Sequence, residues 1–298
     1  MVEIAIPAGF DFSWALGFLA ARTVPALERV SDGTYTRVVR AEGRPVTIVL
    51  REARAAPNAA RRVLVASARP GMAPTALTAA VTRMLDLDAD LATFHRLARR
   101  DPILTAIVRA RAGIRLPQLL DPFEGVIRGI LGQQVSVAGA STVTDRLVRL
   151  LAPPARDRTG RAGAAGGFLV FPTAEVVAGA GAERLRTIGL TRAKAAAIAG
   201  VSRAIADGAL DLEAVRAMPA DDAQAALESL PGIGPWTASY VRMRALGDRD
   251  AFPAADLGVI KALAAAGVDR RAIVGVAERW RPWRAYATLH LWASLKTA

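Results

Sequence analysis

Leu230-Pro231-Gly232-Ile233-Gly234-Pro235-Trp236-Thr237-Ala238 joins two helix-like runs, and its reading decides how the rest of the chain is read. Asp222 to Leu230 leads in with helical spacing, and Pro235 to Leu246 leads out. The Pro-Gly-x-Gly between them is a tight turn whose glycines are free to take positive φ and to let a partner come close. Pro235 falls at the first position of the second helix, where proline is best tolerated. A turn of this kind presents backbone N–H groups at a helix N-terminus, a ready site for an anion such as a phosphate. The same pattern also serves as a plain connection between packed helices, and the turn alone does not separate the two readings.

Further on, Asp256 stands between Phe252-Pro253-Ala254-Ala255 and Leu257-Gly258-Val259-Ile260-Lys261. By itself it is a helix cap, a position that favours Asp. Taken with the turn it does more. Pro231-Gly232-Ile233-Gly234 with Thr237-Ala238 at a helix start, and an Asp at this distance, resembles the helix-hairpin-helix and Gly/Pro-Asp signature of base-excision DNA glycosylases. Three further blocks carry the resemblance to the 3-methyladenine DNA glycosylase II family, the alkylation-repair branch. They are Asp11-Phe12-Ser13-Trp14-Ala15-Leu16-Gly17-Phe18-Leu19-Ala20-Ala21-Arg22, Ile130-Leu131-Gly132-Gln133-Gln134-Val135-Ser136-Val137, and Ala277 to Ala287 with His290-Leu291-Trp292. They lie in the family's order across nearly the whole chain.

Composition sets bounds on this. The 298 residues, 52% of them hydrophobic, suffice for two or three packed units. No apolar run approaches the roughly 20 residues of a membrane span. The start, Met1-Val2-Glu3-Ile4, has no basic region before an apolar block, so a cytoplasmic location is expected. With no cysteine, disulfides, thiolate zinc sites and iron–sulfur clusters are excluded. The two histidines, His95 and His290, are far apart in sequence, and His290 reads as a hydrogen-bonded packing residue. The net charge of +12 favours a polyanionic partner, although arginine and alanine are abundant throughout. Lysine occurs only at Lys194, Lys261 and Lys296.

Tyr35 to Arg40 and Pro45 to Leu50 read as a hairpin across Ala41-Glu42-Gly43-Arg44, and Arg62 to Ala66 as a further strand. Helical stretches flank them at Trp14 to Ala21 and Pro74 to Leu85. From Asp90 onward the patterns are helical: 90–99, 102–110, 122–131, 137–151, 191–206, 222–230, 235–246, 258–265, 270–280 and 283–295. Ala152 to Gly167, rich in Pro, Gly, Ala and Arg, reads as a flexible surface loop. The expected fold is an α+β N-terminal domain, an antiparallel sheet with helices, followed by a mainly α two-lobed helix-hairpin-helix core. We assign 1–96 to the first, 121–248 to the lobe carrying the hairpin, and 97–120 with 249–298 to a second lobe carrying Asp256.

The resemblance implies roles, residue by residue. Asp256 is the catalytic carboxylate, with Ala255 before it where some relatives have a second acid. Trp236, Tyr240, Trp292 and Phe18 line the base pocket. As an isolated pair, Trp236 and Tyr240, four apart on a helix, read equally as a buried stripe. Gly232, Ile233, Gly234, Trp236 and Thr237 form the phosphate-binding hairpin. Pro235 has no N–H, so Gly232, Gly234 and Trp236 are the expected donors. Gln133 and Gln134 form the wedge that fills the gap left by an extruded base, with Gln134 where an apolar residue is common. The carbonyls of Glu228, Leu230 and Ile233 hold a monovalent cation, Na+ or K+; no other cofactor is expected. Trp280 and Trp283 read as structural. Relatives that also cleave the backbone have a lysine where Trp236 stands, and an indole forms no Schiff base.

The expected activity is a monofunctional DNA glycosylase for alkylated bases, 3-methyladenine and 7-methylguanine, acting as a monomer on double-stranded DNA by base flipping and leaving an abasic site. The alternatives are a glycosylase for oxidised or deaminated bases, whose neutral leaving groups need an added acid or a lysine, and a non-catalytic helix-hairpin-helix DNA-binding protein.

Overall fold

A computed structural model describes residues 1–54, 62–152 and 167–295. Five strands form the sheet: β1 (Val2–Ala5), β2 (Glu28–Ser31), β3 (Thr34–Ala41), β4 (Arg44–Arg54) and β5 (Arg62–Arg69). Their order is β1-β5-β4-β3-β2, with every pairing antiparallel. The expected hairpin pairs Tyr35 with Leu50 and closes Ala41 against Arg44. Its two turn residues, Glu42 and Gly43, both have positive φ, the conformation that matches strand twist. A second such turn, Asp32-Gly33, joins β2 to β3. Strands β1 and β2 were not expected, being only four residues each.

Helices α1 (Phe12–Ala20) and α2 (Pro74–Leu85) pack on the sheet around a core of Phe10, Phe12, Tyr35, Leu50, Leu64 and Leu77. Beyond them come α3 (Leu91–Ala98), α4 (Leu104–Ala110), α5 (Pro122–Leu131), α6 (Val137–Leu151), α7 (Ala174–Arg186), α8 (Arg192–Ala206) and α9 (Leu212–Ala217). Then follow α10 (Ala220–Glu228), α11 (Pro235–Arg244), α12 (Leu257–Ala265), α13 (Ile273–Glu278) and α14 (Arg284–Ser294). Helices α7 and α9 escaped the periodicity. The first is rich in alanine and glycine and breaks at Gly181, and the second is only six residues long. The expected helix 270–280 divides into a 3₁₀ turn, Arg270–Ala272, and α13. Most of the expected loop 152–167 lies outside the described residues.

The helical part has two cores. Val126, Leu147, Leu185, Ile198, Leu227, Ile233 and Val241 pack together in one, joined by Val24 and Leu27 from the strap before β2. Phe94, Leu104, Val259, Leu263, Trp280 and Tyr286 pack in the other. Ion pairs and hydrogen bonds tie the N-terminal unit to both. Arg37 of β3 bonds Glu28 at 2.6 Å and also bonds Glu124 of α5. Asp86, just after α2, accepts from Arg249 at 2.7 Å and from the Tyr286 hydroxyl at 2.6 Å. Trp280 and Trp283 are buried, as expected of structural residues. His290 is buried against the Phe94 ring with the Ile107 carbonyl beside it, a packing role in which neither ring nitrogen makes a hydrogen bond of full geometry.

Candidate functional site

Helices α10 and α11 form the hairpin. Leu227 and Ile233 are buried and anchor its two sides, while Gly232 and Gly234 face solvent. Gly232 has φ +86, and a Cβ there would lie 2.4 Å from the Ala197 Cβ of α8. Only glycine fits. Gly234 differs from the expectation: its φ is −98°, and a Cβ would meet nothing within 4 Å. Its open face is therefore not demanded by the fold. The Ile233 N–H donates to the Leu230 carbonyl at 3.1 Å, which removes it from the set of anion donors. The N–H groups of Gly232, Gly234 and Trp236 have no backbone acceptor. The Leu230 carbonyl accepts that one bond, whereas those of Glu228 and Ile233 accept no N–H from the turn, so oxygen donors for a cation are present.

Asp256 caps α12. Its Oδ1 accepts from the N–H groups of Gly258 at 2.8 Å and Val259 at 3.1 Å, and from the Trp292 indole at 2.8 Å. Oδ2 accepts one donor, the Trp236 indole, at 3.1 Å. The cap thus orients the carboxylate and leaves Oδ2 the less occupied oxygen. Gly258 makes this possible: a Cβ there would stand 2.8 Å from Cδ1 of Trp292.

These residues meet at a cleft of about 1080 Å³. Trp236 and Tyr240 line it together with Trp292 and Asp256, and the two α11 rings stack at 5.5 Å and 22°. Phe18 is the exception. It is buried beneath the Arg22 guanidinium, whose carbon sits 3.7 Å from the ring centroid, and Arg22, not Phe18, forms the cleft surface. The face offered to a cationic base by the sequence reading is therefore already covered by a cation of the chain itself.

The loop between α5 and α6 forms the opposite rim. Gln133 does not project as a wedge: its Nε2 donates to the Gly232 carbonyl and to Thr237 Oγ1, each at 2.9 Å. It ties the loop to the hairpin, and it occupies the Thr237 hydroxyl. Lys194 of α8 adds a second tie, donating to the carbonyls of Gln133 at 2.6 Å and Leu131 at 3.2 Å. Gln134 is exposed, with φ +57. Val135, Val137 and Leu257, at 44%, 47% and 70% exposure, leave apolar side chains in solvent around the cleft mouth. Apolar surface gathered at a cleft rim marks a contact surface.

At the inner end lie Arg22, Arg128 and Arg244. Arg128 is neutralised, bonding Glu124 at 3.0 Å and Glu28 at 3.4 Å. Burial and the nearby Arg244 push the Arg22 guanidinium down to about 10, and burial pushes Arg244 down as well. The sequence reading missed Lys194, Gly258, Arg22 and Arg244. For Arg244 a signal existed: positions 236, 240 and 244 share one helix face.

Among the described residues no helix is long and apolar enough to cross a membrane, and no cluster of His, Asp and Glu is suited to a metal ion. A sheet-bearing N-terminal unit, followed by helical lobes whose cleft joins a Gly-rich hairpin to a capped aspartate, defines a helix-hairpin-helix base-excision protein. Residues 2–121 match the AlkA N-terminal domain, and residues 127–272 match the HhH-GPD superfamily base excision DNA repair protein. The chain is 34% identical to DNA-3-methyladenine glycosylase 2 of Escherichia coli, with 95% of this chain and 93% of that protein aligned. It is 37% identical to a probable bifunctional transcriptional activator/DNA repair enzyme AlkA of Mycobacterium tuberculosis, covering 99% of this chain but 57% of that relative, little more than half its length. The 3-methyladenine DNA-glycosylase from Archaeoglobus fulgidus has the same fold, with TM-score 0.83 at 24% identity, covering 100% of this chain and 99% of that one. The chain belongs to the HhH-GPD superfamily, in the branch with the AlkA N-terminal domain that includes the Escherichia coli glycosylase.

Proposed function

We propose that the protein is a monofunctional DNA glycosylase that hydrolyses the N-glycosidic bond of alkylated bases, 3-methyladenine and 7-methylguanine, in duplex DNA. The observation that carries this reading is the Asp256 carboxylate, oriented by three donors on Oδ1 and opening through Oδ2 into a cleft walled by the hairpin helix. An alkylated purine bears positive charge and departs as a neutral base. The sugar left behind resembles an oxocarbenium ion, which a fixed carboxylate stabilises. Oδ2 faces C1′ and takes the proton of the attacking water as the C1′–O bond forms.

The free N–H groups of Gly232, Gly234 and Trp236 grip a backbone phosphate beside the lesion. The Glu228, Leu230 and Ile233 carbonyls would hold a monovalent cation, which would supply positive charge there. Gln134 enters the stack as the base leaves it, and Trp236, Tyr240 and Trp292 receive the base. Neither Lys194 nor Lys261 lines the cleft, and Lys194 is held on backbone carbonyls, which supports hydrolysis without a lyase step. The test is base release from a methylated duplex, read by the identity of the free base. Release of 3-methyladenine and 7-methylguanine with an intact abasic strand is expected. Failure to release either, or a borohydride-trapped adduct with abasic DNA, overturns the reading.

A further inference from the structure

Two glycines let the end of α5 come against α11. A Cβ at Gly129 would stand 3.3 Å from both Thr237 Cγ2 and Val241 Cγ2, and one at Gly132 would stand 4.0 Å from Cη2 of the Trp236 ring. The rim loop that follows therefore lies beside the first turn of the hairpin helix. There Gln133 spends both of its amide protons, one on the Gly232 carbonyl and one on Thr237 Oγ1, each at 2.9 Å. A carbonyl only accepts, so the Gly232 oxygen fixes which end of the amide faces it. These two acceptors bracket, in the chain, the free N–H groups of Gly234 and Trp236. The next residue, Gln134, is exposed at the cleft lining and has φ +57. A residue other than glycine keeps a left-handed backbone only where its surroundings impose it. On one side those surroundings are the Gln133 amide and the Lys194 ammonium, 2.6 Å from the Gln133 carbonyl. On the other, Ser136 caps α6, its hydroxyl accepting from the Gly139 N–H at 3.1 Å.

A glutamine makes a demanding wedge. Its long side chain loses rotamer freedom on entering a stack, and holding the backbone in place beforehand lowers the cost of insertion. We propose that Gln133 is a positioning residue for base extrusion: it fixes Gln134 at a set distance from the phosphate held by the hairpin, so that gripping the strand and opening the stack are one event. This rests on the glycosylase reading. Gln133 touches neither base nor sugar and acts through Gln134. Without its amide the hairpin still presents the N–H groups of Gly232, Gly234 and Trp236. The left-handed turn at Gln134 then relaxes, and the wedge no longer points where the phosphate grip directs it. The Thr237 hydroxyl, which the sequence assigns to phosphate binding, serves instead as an anchor for the rim loop.

The experiment follows extrusion by the fluorescence of a 2-aminopurine beside 7-methylguanine in a duplex, at saturating protein, with base release measured in the same samples. Gln133→Met keeps the length of the side chain and removes its donor. It should slow extrusion about 10-fold, the scale of two lost hydrogen bonds, and by more than it weakens affinity for undamaged duplex. Gln134→Ala should slow the same step, and adding Gln133→Met to it should slow extrusion no further. A residue that merely supported the fold would slow both backgrounds by the same factor. Thr237→Val removes one of the two acceptors and keeps the shape of the side chain. It should give a smaller slowing, again only while Gln134 is present, and it decides the matter if Gln133→Met does not fold. Equal slowing with and without Gln134, wild-type extrusion in the Gln133→Met and Thr237→Val proteins, or no effect of Gln134→Ala overturns the inference. In each of those cases the wild type still frees 7-methylguanine, and the glycosylase reading stands. A wild type that neither opens the duplex nor frees a base sinks the glycosylase reading itself.

Discussion

The indole N–H of Trp236 donates to Oδ2 of Asp256 across 3.1 Å, linking the first turn of the hairpin helix to the cap of another helix. One side chain thereby serves as cleft wall and carboxylate support. Substituting Trp236→Phe keeps a ring and removes the donor. Base release should slow about tenfold, the scale of one lost hydrogen bond to a charged group, with duplex affinity unchanged. A rate equal to the wild type would show that the bond does not hold the carboxylate for reaction.

Asp256→Asn preserves the Oδ1 acceptor for the Gly258 and Val259 N–H groups, so α12 keeps its cap. In the proposed reaction it removes the charge that faces the sugar. Release of 7-methylguanine should fall about 100- to 1,000-fold, with the thermal midpoint within a few degrees of the wild type. Unchanged release removes Asp256 from the chemistry.

Lys194→Met cuts both bonds that hold the Leu131 and Gln133 carbonyls, and with them the rim loop. The hairpin itself is untouched. Base extrusion, followed by a fluorescent base analogue beside the lesion, should slow several-fold while binding to undamaged duplex persists. Equal loss of both would mean that Lys194 supports the fold generally.

The two glycines of the hairpin should separate by experiment. Gly232→Ala sets a Cβ 2.4 Å from Ala197 in a left-handed backbone, and should lower stability by about 1–3 kcal/mol in urea unfolding. Gly234→Ala meets nothing and should leave stability unchanged, but weaken duplex affinity by crowding the phosphate. Loss of stability at Gly234 would contradict its open surroundings.

Burial pulls His290 from an ordinary 6.5 down to about 3, against a smaller upward pull from the Ile107 carbonyl. Above pH 6.5 the ring is neutral in both folded and unfolded chains. Below it the unfolded chain binds a proton that the folded one refuses, so stability declines as pH falls from 6.5 toward 3. Each unit in that window removes about 1.4 kcal/mol through this one group. Unfolding free energies at about pH 7.5 and about pH 5 should differ more in the wild type than in His290→Leu; equal differences would place the titration elsewhere.

Much of this architecture was legible in local patterns. Pro235 at a helix start, the apolar period of α5, α6 and α8, and the alternation of β3 and β4 act over a few residues, and a linear reading captures them. The short strands β1 and β2 lay below that resolution, although Asp32-Gly33 is a strong hairpin-turn pair. Phe18 shows the limit at the site. Its place in the chain suits a pocket wall, yet Arg22, one helical turn later, folds over its ring. Gln133 shows it again: a polar residue at a helix break became a tie because Gly232 and Thr237 come within 2.9 Å of its amide.

The order of residues by itself determined the hairpin, the capping aspartate and the aromatic face of α11, because spacing along a helix or turn is set by covalent geometry and backbone hydrogen bonding. Which charges find partners was decided only by tertiary structure. Arg37 lies opposite two carboxylates while Arg244 lies opposite none, since that depends on how remote segments pack. No local pattern records the distance between Arg244 and an acid far off in the chain. The electrostatic character of the cleft floor therefore emerges from packing, while the capped carboxylate and the ring spacing of α11 follow from local order.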